Sequence, residues 1–143
     1  MKPKAERDYS GRSLFDKLGV FVAARVAIVG DHDESFAAAL AEQLDTPASR
    51  SLRGPYDLIF LKVSAPRDLI RIPNTAAYLK PNGALWIFHP KGRGATPSDG
   101  EVRAAGLAAG LVDNKISAYS DSHTSTRFVI PLSRRTPSRD PRG

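Results

Sequence analysis

The chain has 143 residues, 41% hydrophobic and 25% charged, with a formal charge of +6 and no cysteine. That length suits one domain able to bury about 70% of its unfolded surface, and the composition is that of an ordinary globular protein. The lack of cysteine excludes disulfides, thiol nucleophiles and thiolate metal sites, and no run nears the ~20 apolar residues of a membrane span.

The polar residues 1–10 do not read as a secretory leader, so a cytoplasmic setting and a flexible N-terminus are expected. Much of the positive charge sits at the other end. Residues 133–143 hold Arg134, Arg135, Arg139 and Arg142 against Asp140 alone. A basic tail rich in Ser and Pro is expected to be disordered, with non-specific contact to nucleic-acid phosphates as the alternative. Residues 11–132 are then the single folded domain.

Residues 13–18 predict a short helix with Leu14, Phe15 and Leu18 on one side and Gly19 as its stop. Residues 25–30 (RVAIVG) predict a strand buried on both faces. Asp31 and Glu34 have capping-box spacing, and Phe36, Leu40 and Leu44 repeat at every fourth position, which predicts a helix. Residues 46–55 are turn-rich, with at most one short strand near Arg50–Arg53. Residues 57–63 (DLIFLKV) predict a second buried strand. Two short helical pieces follow, the second opened by Pro73.

Residues 84–89 (ALWIFH) predict a third buried strand, in which Trp86 and Phe88 share a core face. Residues 90–97 are a loop by composition. Ser98 and Glu101 predict a capped helix ending at Gly110. Residues 112–119 and 126–132 predict a hairpin joined by the polar turn SDSHTS. Alternating strands and helices imply an α/β fold of three Rossmann-like layers. Its sheet is mostly parallel and reduced in strand number, with a C-terminal antiparallel hairpin.

The turn and strand Tyr78-Leu79-Lys80-Pro81-Asn82-Gly83-Ala84-Leu85-Trp86-Ile87 resembles the Leu-Lys-Pro-Gly-Gly turn before strand five of class I S-adenosylmethionine-dependent methyltransferases. The final helix and hairpin resemble that fold's ending. A broader resemblance is to the bacterial family called domain of unknown function 3052. It rests on Tyr9-Ser10-Gly11, Lys17-Leu18-Gly19, the strand from Arg25, Gly83-Ala84-Leu85-Trp86 with Pro90-Lys91, and Gly110-Leu111-Val112-Asp113-Asn114-Lys115 with Arg127-Phe128-Val129. These resemblances imply a methyltransferase-like fold in a bacterial cytoplasm and assign no catalytic residue.

The chain departs from the methyltransferase pattern at the cofactor loop. Where the enzymes have several glycines, Gly30-Asp31-His32-Asp33-Glu34 has one glycine and three carboxylates. Glycine serves there because a β-carbon obstructs close approach of the backbone to the cofactor. The acidic residue expected after a second strand is replaced by the arginines of residues 49–54. The span between the first two strong strands is also too short for the usual strand-helix-strand-helix segment. Loss of S-adenosylmethionine binding is the expected consequence.

Ligands of open α/β sheets bind beyond the carboxyl ends of parallel strands. That edge should gather Gly30, Asp31, His32 and Asp33, then Lys62 and Ser64, then His89, Lys91 and Arg93, and the hairpin turn with His123. Gly30, Asp31, His32, Lys62 and His89 are therefore the cofactor-site candidates. Lys91-Gly92-Arg93-Gly94 is an anion-binding candidate, because two cations flank flexible backbone amides. All three histidines fall on this edge, although their spacing matches no metal motif, and neither a metal nor a catalytic group is assigned. Asp113-Asn114-Lys115 reads as turn chemistry at the opposite end.

The expected function is a non-enzymatic methyltransferase-like scaffold that binds a protein partner or small ligand and needs no cofactor. The alternatives are a small S-adenosylmethionine-dependent methyltransferase with an atypical loop and nucleic-acid association through the tail.

Overall fold

The apolar, β-branched runs become the strands of one sheet. The computed structural model describes residues 12–135. Val26–Val29 (β1), Tyr56–Lys62 (β2) and Leu79–Pro90 (β3) are parallel. Val112–Ala118 (β4) and His123–Val129 (β5) form the antiparallel hairpin. The strand order is β1-β2-β3-β5-β4, with β5 antiparallel to β3. The expected flexible residues 1–10 and the end of the expected tail lie outside the described residues.

Strand parity divides the core into two layers. Val26, Ile28, Leu58, Phe60, Trp86 and Phe88 face one side, where Arg12–Lys17 (α1) and Glu34–Gln43 (α2) bring Phe15, Leu18, Phe36 and Leu40. Ala27, Ile59, Leu61, Leu85, Ile87 and Phe128 face the other. There Ile72–Ala76 (α3) and Asp99–Ala108 (α4) supply Ile72 and Val102. Each large side chain so buried contributes roughly 1.5–3 kcal/mol. Trp86 also donates its indole N–H to the Leu18 carbonyl at 2.9 Å, which holds the end of α1 against the sheet.

Several local signals perform as written. Ser98 Oγ accepts from the Glu101 amide at 3.1 Å and Glu101 accepts from the Ser98 amide at 2.8 Å, a complete capping box for α4. Gly110 takes φ +88° just past that helix. Pro73 lies in the first turn of α3, behind a 3-10 turn over Pro66–Arg71. The Asp68 carboxylate opens that turn by accepting from the Ser64 and Ala65 amides at 2.8 and 3.0 Å.

Other boundaries move. The helix after β1 is capped at Asp33 without a side-chain hydrogen bond, so Asp31 and Glu34 do not form a box. The Asp33 carboxylate turns instead to Lys62 and Tyr119. The expected short strand shrinks to one parallel bridge, Ala27 to Ser49. The start of β5 moves back to His123, because Thr124, Ser125 and Thr126 are buried polar strand residues. Ser125 and Thr124 both donate to the Ser117 carbonyl, at 2.7 and 3.3 Å. The polarity of Thr124 and Ser125 reads as turn in the sequence, yet both hydroxyls find an acceptor across the hairpin.

Asp113-Asn114-Lys115 is not turn chemistry either. It is a bulge inside β4, where the register slips between Asp113 and Lys115. Residues 133–135, expected in the tail, are part of the described structure. Arg134 donates to the Gly110 carbonyl at 2.9 Å and Arg135 to the Ile130 carbonyl at 2.8 Å.

Candidate functional site

The carboxyl edge of the parallel strands does collect the residues expected there, on two different faces. β1 delivers Gly30 at φ +98°, a conformation that strains any other residue. A β-carbon on Gly30 would lie 2.7 Å from the Lys62 carbonyl oxygen. The glycine therefore lets β1 end tightly against β2. Asp31 is exposed beside it.

His32 turns inward and is only 7% exposed. Its Nε2–H donates to the Phe60 carbonyl at 2.8 Å. Its ring stacks on Phe36 at 5.5 Å and meets Phe88 edge-on at 5.3 Å. With the proton on Nε2, the buried Nδ1 is an acceptor without a hydrogen-bond partner. Burial, and next in sign the nearby Lys62 charge, holds the imidazole pKa below its ordinary value against the raising effect of the Phe60 carbonyl. His32 is thus a neutral plug above the ends of β1 and β2.

Beside the plug is a charged clip. The Lys62 ammonium lies 3.8 Å from Asp33, with the lysine side chain only 15% exposed. Tyr119 donates its hydroxyl to the same carboxylate at 3.3 Å. His123 accompanies this group, half-buried, with Nδ1 2.8 Å from Ser122 Oγ. Burial lowers its pKa first, Lys62 lowers it further, and Asp33 opposes both. This link from α2 to the hairpin was not legible in the sequence for Tyr119. The signal for Lys62 was a lone cation closing an apolar strand.

His89 belongs to the other face. It is 1% exposed, shares a 2.8 Å hydrogen bond with Thr126 Oγ1, and points Nδ1 toward Asp99 at 3.7 Å. Burial depresses its pKa while the Asp99 charge at the start of α4 raises it. The three histidines share an edge, and the His123 charge reaches His89, but His89 and His32 lie on opposite faces of the sheet. Among the described residues no cluster of three or more His, Cys, Asp or Glu side chains suits a metal ion. Lys91 and Arg93 are exposed on the loop before α4, where Gly92 and Gly94 take positive φ. Arg50, one of the arginines that stand where the enzymes place an acidic residue, lies 3.9 Å from Glu34.

The three-layer sheet with its closing hairpin defines a methyltransferase-like α/β domain. No protein-family profile and no curated protein sequence matches the chain. Solved structures do. The magnesium protoporphyrin IX methyltransferase of Synechocystis PCC 6803, with bound SAH, superposes with a TM-score of 0.63 at 12% identity, over 83% of this chain and 80% of that one. A SAM-dependent methyltransferase from Aquifex aeolicus gives 0.56 at 14% identity, over 84% and 89%. The SAH-bound calicheamicin-biosynthesis methyltransferase CalO1 gives 0.60 at 16% identity, over 80% of this chain and 51% of that one. At such identities the likeness is one of fold. Among the described residues no helix is long and apolar enough to cross a membrane.

Proposed function

We propose that this domain is a methyltransferase-like binding scaffold of the family called domain of unknown function 3052, and that it does not transfer methyl groups. The observation that carries the reading is His32. Where a glycine-rich loop would leave room for S-adenosylmethionine above β1, an imidazole is packed between Phe36 and Phe88 and bonded to the Phe60 carbonyl. The residues present do not suit that cofactor. Gly30 serves contact with β2, and the bridge residue Ser49 is followed by Arg50 where a ribose would want a carboxylate.

Three residues of the family resemblance act as structural punctuation. Gly83 packs against the Tyr56 carbonyl, where a β-carbon would sit 2.7 Å away. Trp86 anchors α1, and Gly110 ends α4. The ligand surface is the exposed rim of Asp31, Asp33, Lys91 and Arg93 beside the half-buried His123, which fits a partner presenting both charge signs.

A second reading is supported by the fold neighbours, whose structures include SAH-bound methyltransferases. In it, His32 swings out and S-adenosylmethionine enters. Calorimetric titration of the full chain with S-adenosylmethionine separates the two. No saturable heat up to millimolar ligand is expected. Saturation at one equivalent, weakened by Asp31→Ala, would replace the scaffold reading with the enzyme one.

A further inference from the structure

A second polar region lies on the same sheet face, at the opposite end of the strands. It is built by the bulge in β4. The register places Lys115 directly across from Arg127 on β5, beside Trp86 on β3. Like charges in direct cross-strand register repel. Among the described residues neither cation, nor the neighbouring Lys17, has an ion pair.

Their hydrogen bonds fix them without neutralising them. Lys115 Nζ donates to the Lys17 carbonyl at 3.0 Å and lies 6.0 Å from the Trp86 ring centroid. Arg127 Nη1 donates to Asn114 Oδ1 at 3.1 Å. An ammonium has three N–H donors and a guanidinium five, so most remain for another acceptor. Because Asn114 uses its oxygen on Arg127, its amide NH₂ is the group left to face outward. Burial, with Arg135 nearby, lowers the Arg127 pKa, so its charge is already poorly solvated.

These groups line a cavity of about 300 Å³, together with Asp16 and Gly19. Asp16 is the single carboxylate in that lining, against three cations. The volume is at the small end of the range for small-molecule sites.

We propose that this cavity binds a phosphate-type oxyanion, free or as the end group of a small phosphorylated molecule, held by Lys17, Lys115, Arg127 and the Asn114 amide. The anion supplies the counter-charge that these cations lack among the described residues. Binding here is independent of the scaffold reading, because the carboxyl-edge residues take no part.

The test is thermal unfolding of the full chain with inorganic phosphate, pyrophosphate or ribose 5-phosphate, at ionic strength held constant with sodium chloride. At a tenfold excess over Kd a rise in Tm of about 4 °C is expected. Arg127→Gln and Lys115→Gln should each weaken binding about tenfold or more, since each removes charge-assisted hydrogen bonds. Lys17→Gln, on an exposed helix position, keeps the test valid if a sheet variant misfolds, and should weaken binding as well. Lys91→Gln with Arg93→Gln should leave it intact. A larger shift with ribose 5-phosphate than with inorganic phosphate identifies an end group of a larger molecule, and the reverse identifies the free anion. No shift beyond that of chloride, or a shift that survives all three single variants, overturns the proposal. Binding of oligonucleotides alone also overturns it.

Discussion

The two polar regions on the α1–α2 face handle charge in opposite ways. At the carboxyl edge, Lys62 is matched by Asp33, the Asp33 carboxylate also accepts from Tyr119, and the adjacent imidazole of His32 is neutral and sealed among rings. At the other end, Lys115 and Arg127 face each other across the hairpin with hydrogen bonds to neutral acceptors only. A matched charge in a half-buried setting fastens two elements together. An unmatched pair held in place stores repulsion that an incoming anion can relieve. At the carboxyl edge the Lys62–Asp33–Tyr119 group is therefore internally satisfied, while the Lys115–Arg127 pair is not.

Both regions depend on the aromatic row of β3, and the largest expected effect comes from removing it. Trp86→Ala deletes a fully buried side chain and its bond to the Leu18 carbonyl. A loss of about 3–5 kcal/mol in urea unfolding is expected. A loss under about 1 kcal/mol would mean that α1 is not fastened to the sheet as described, and the cavity beneath its end would lose one wall.

Gly30→Ala breaks the carboxyl edge selectively. The new β-carbon meets the Lys62 carbonyl at 2.7 Å, in a backbone conformation of φ +98° that alanine resists. A cost of about 1–3 kcal/mol is expected, together with displacement of Lys62 from Asp33. If the variant unfolds like the wild type, β1 does not end tightly against β2 and the edge has more room for a cofactor.

Acid sharpens the same contrast. His32, His89 and His123 all have pKa values lowered by burial from 6.5. Below pH 6.5 the unfolded chain therefore binds more protons than the folded one, and stability falls with pH. It is fully present above the unfolded value. His32→Phe keeps a ring beside Phe36 and Phe88 and removes one titrating group. The decline in stability from pH 7 to pH 5 should be shallower in this variant, as followed by urea midpoints. An unchanged slope would show that His32 is not the neutral plug.

Much of the architecture was legible because its determinants are local. The β-branched runs, the Ser98–Glu101 box and the stop at Gly110 need only neighbours in sequence. The errors fall where a residue's partner is distant. Asp31 and Glu34 have the right spacing for a box, but the helix starts at Glu34 and Asp33 turns to Lys62 and Tyr119. Thr124 and Ser125 look like turn residues because their acceptor at Ser117 lies across the hairpin. The histidines were placed on the correct edge, since strand ends can be read. Strand parity then sent His89 to the face opposite His32. The Lys115–Arg127 opposition was invisible because it depends on a one-residue bulge that periodicity does not reveal.

The smallest expected effects discriminate best between the two regions, because their signs differ. Asp33→Asn leaves Lys62, which is largely buried, without its counter-charge and weakens the acceptor for Tyr119. Stability should fall by about 0.5–1 kcal/mol, the scale of a partly exposed ion pair. Arg127→Gln removes one of two repelling cations and retains an amide able to bond Asn114. In chloride buffer it should unfold within about 0.5 kcal/mol of the wild type or slightly above it. Raising salt from low to ~1 M, where the Debye length is about 3 Å, should bring the two variants together by screening both the lost attraction and the relieved repulsion. If Arg127→Gln instead falls as far as Asp33→Asn, and salt does not narrow the gap, then Arg127 is compensated in the folded protein. The two regions would then be alike, and nothing would remain at the hairpin for an anion to relieve.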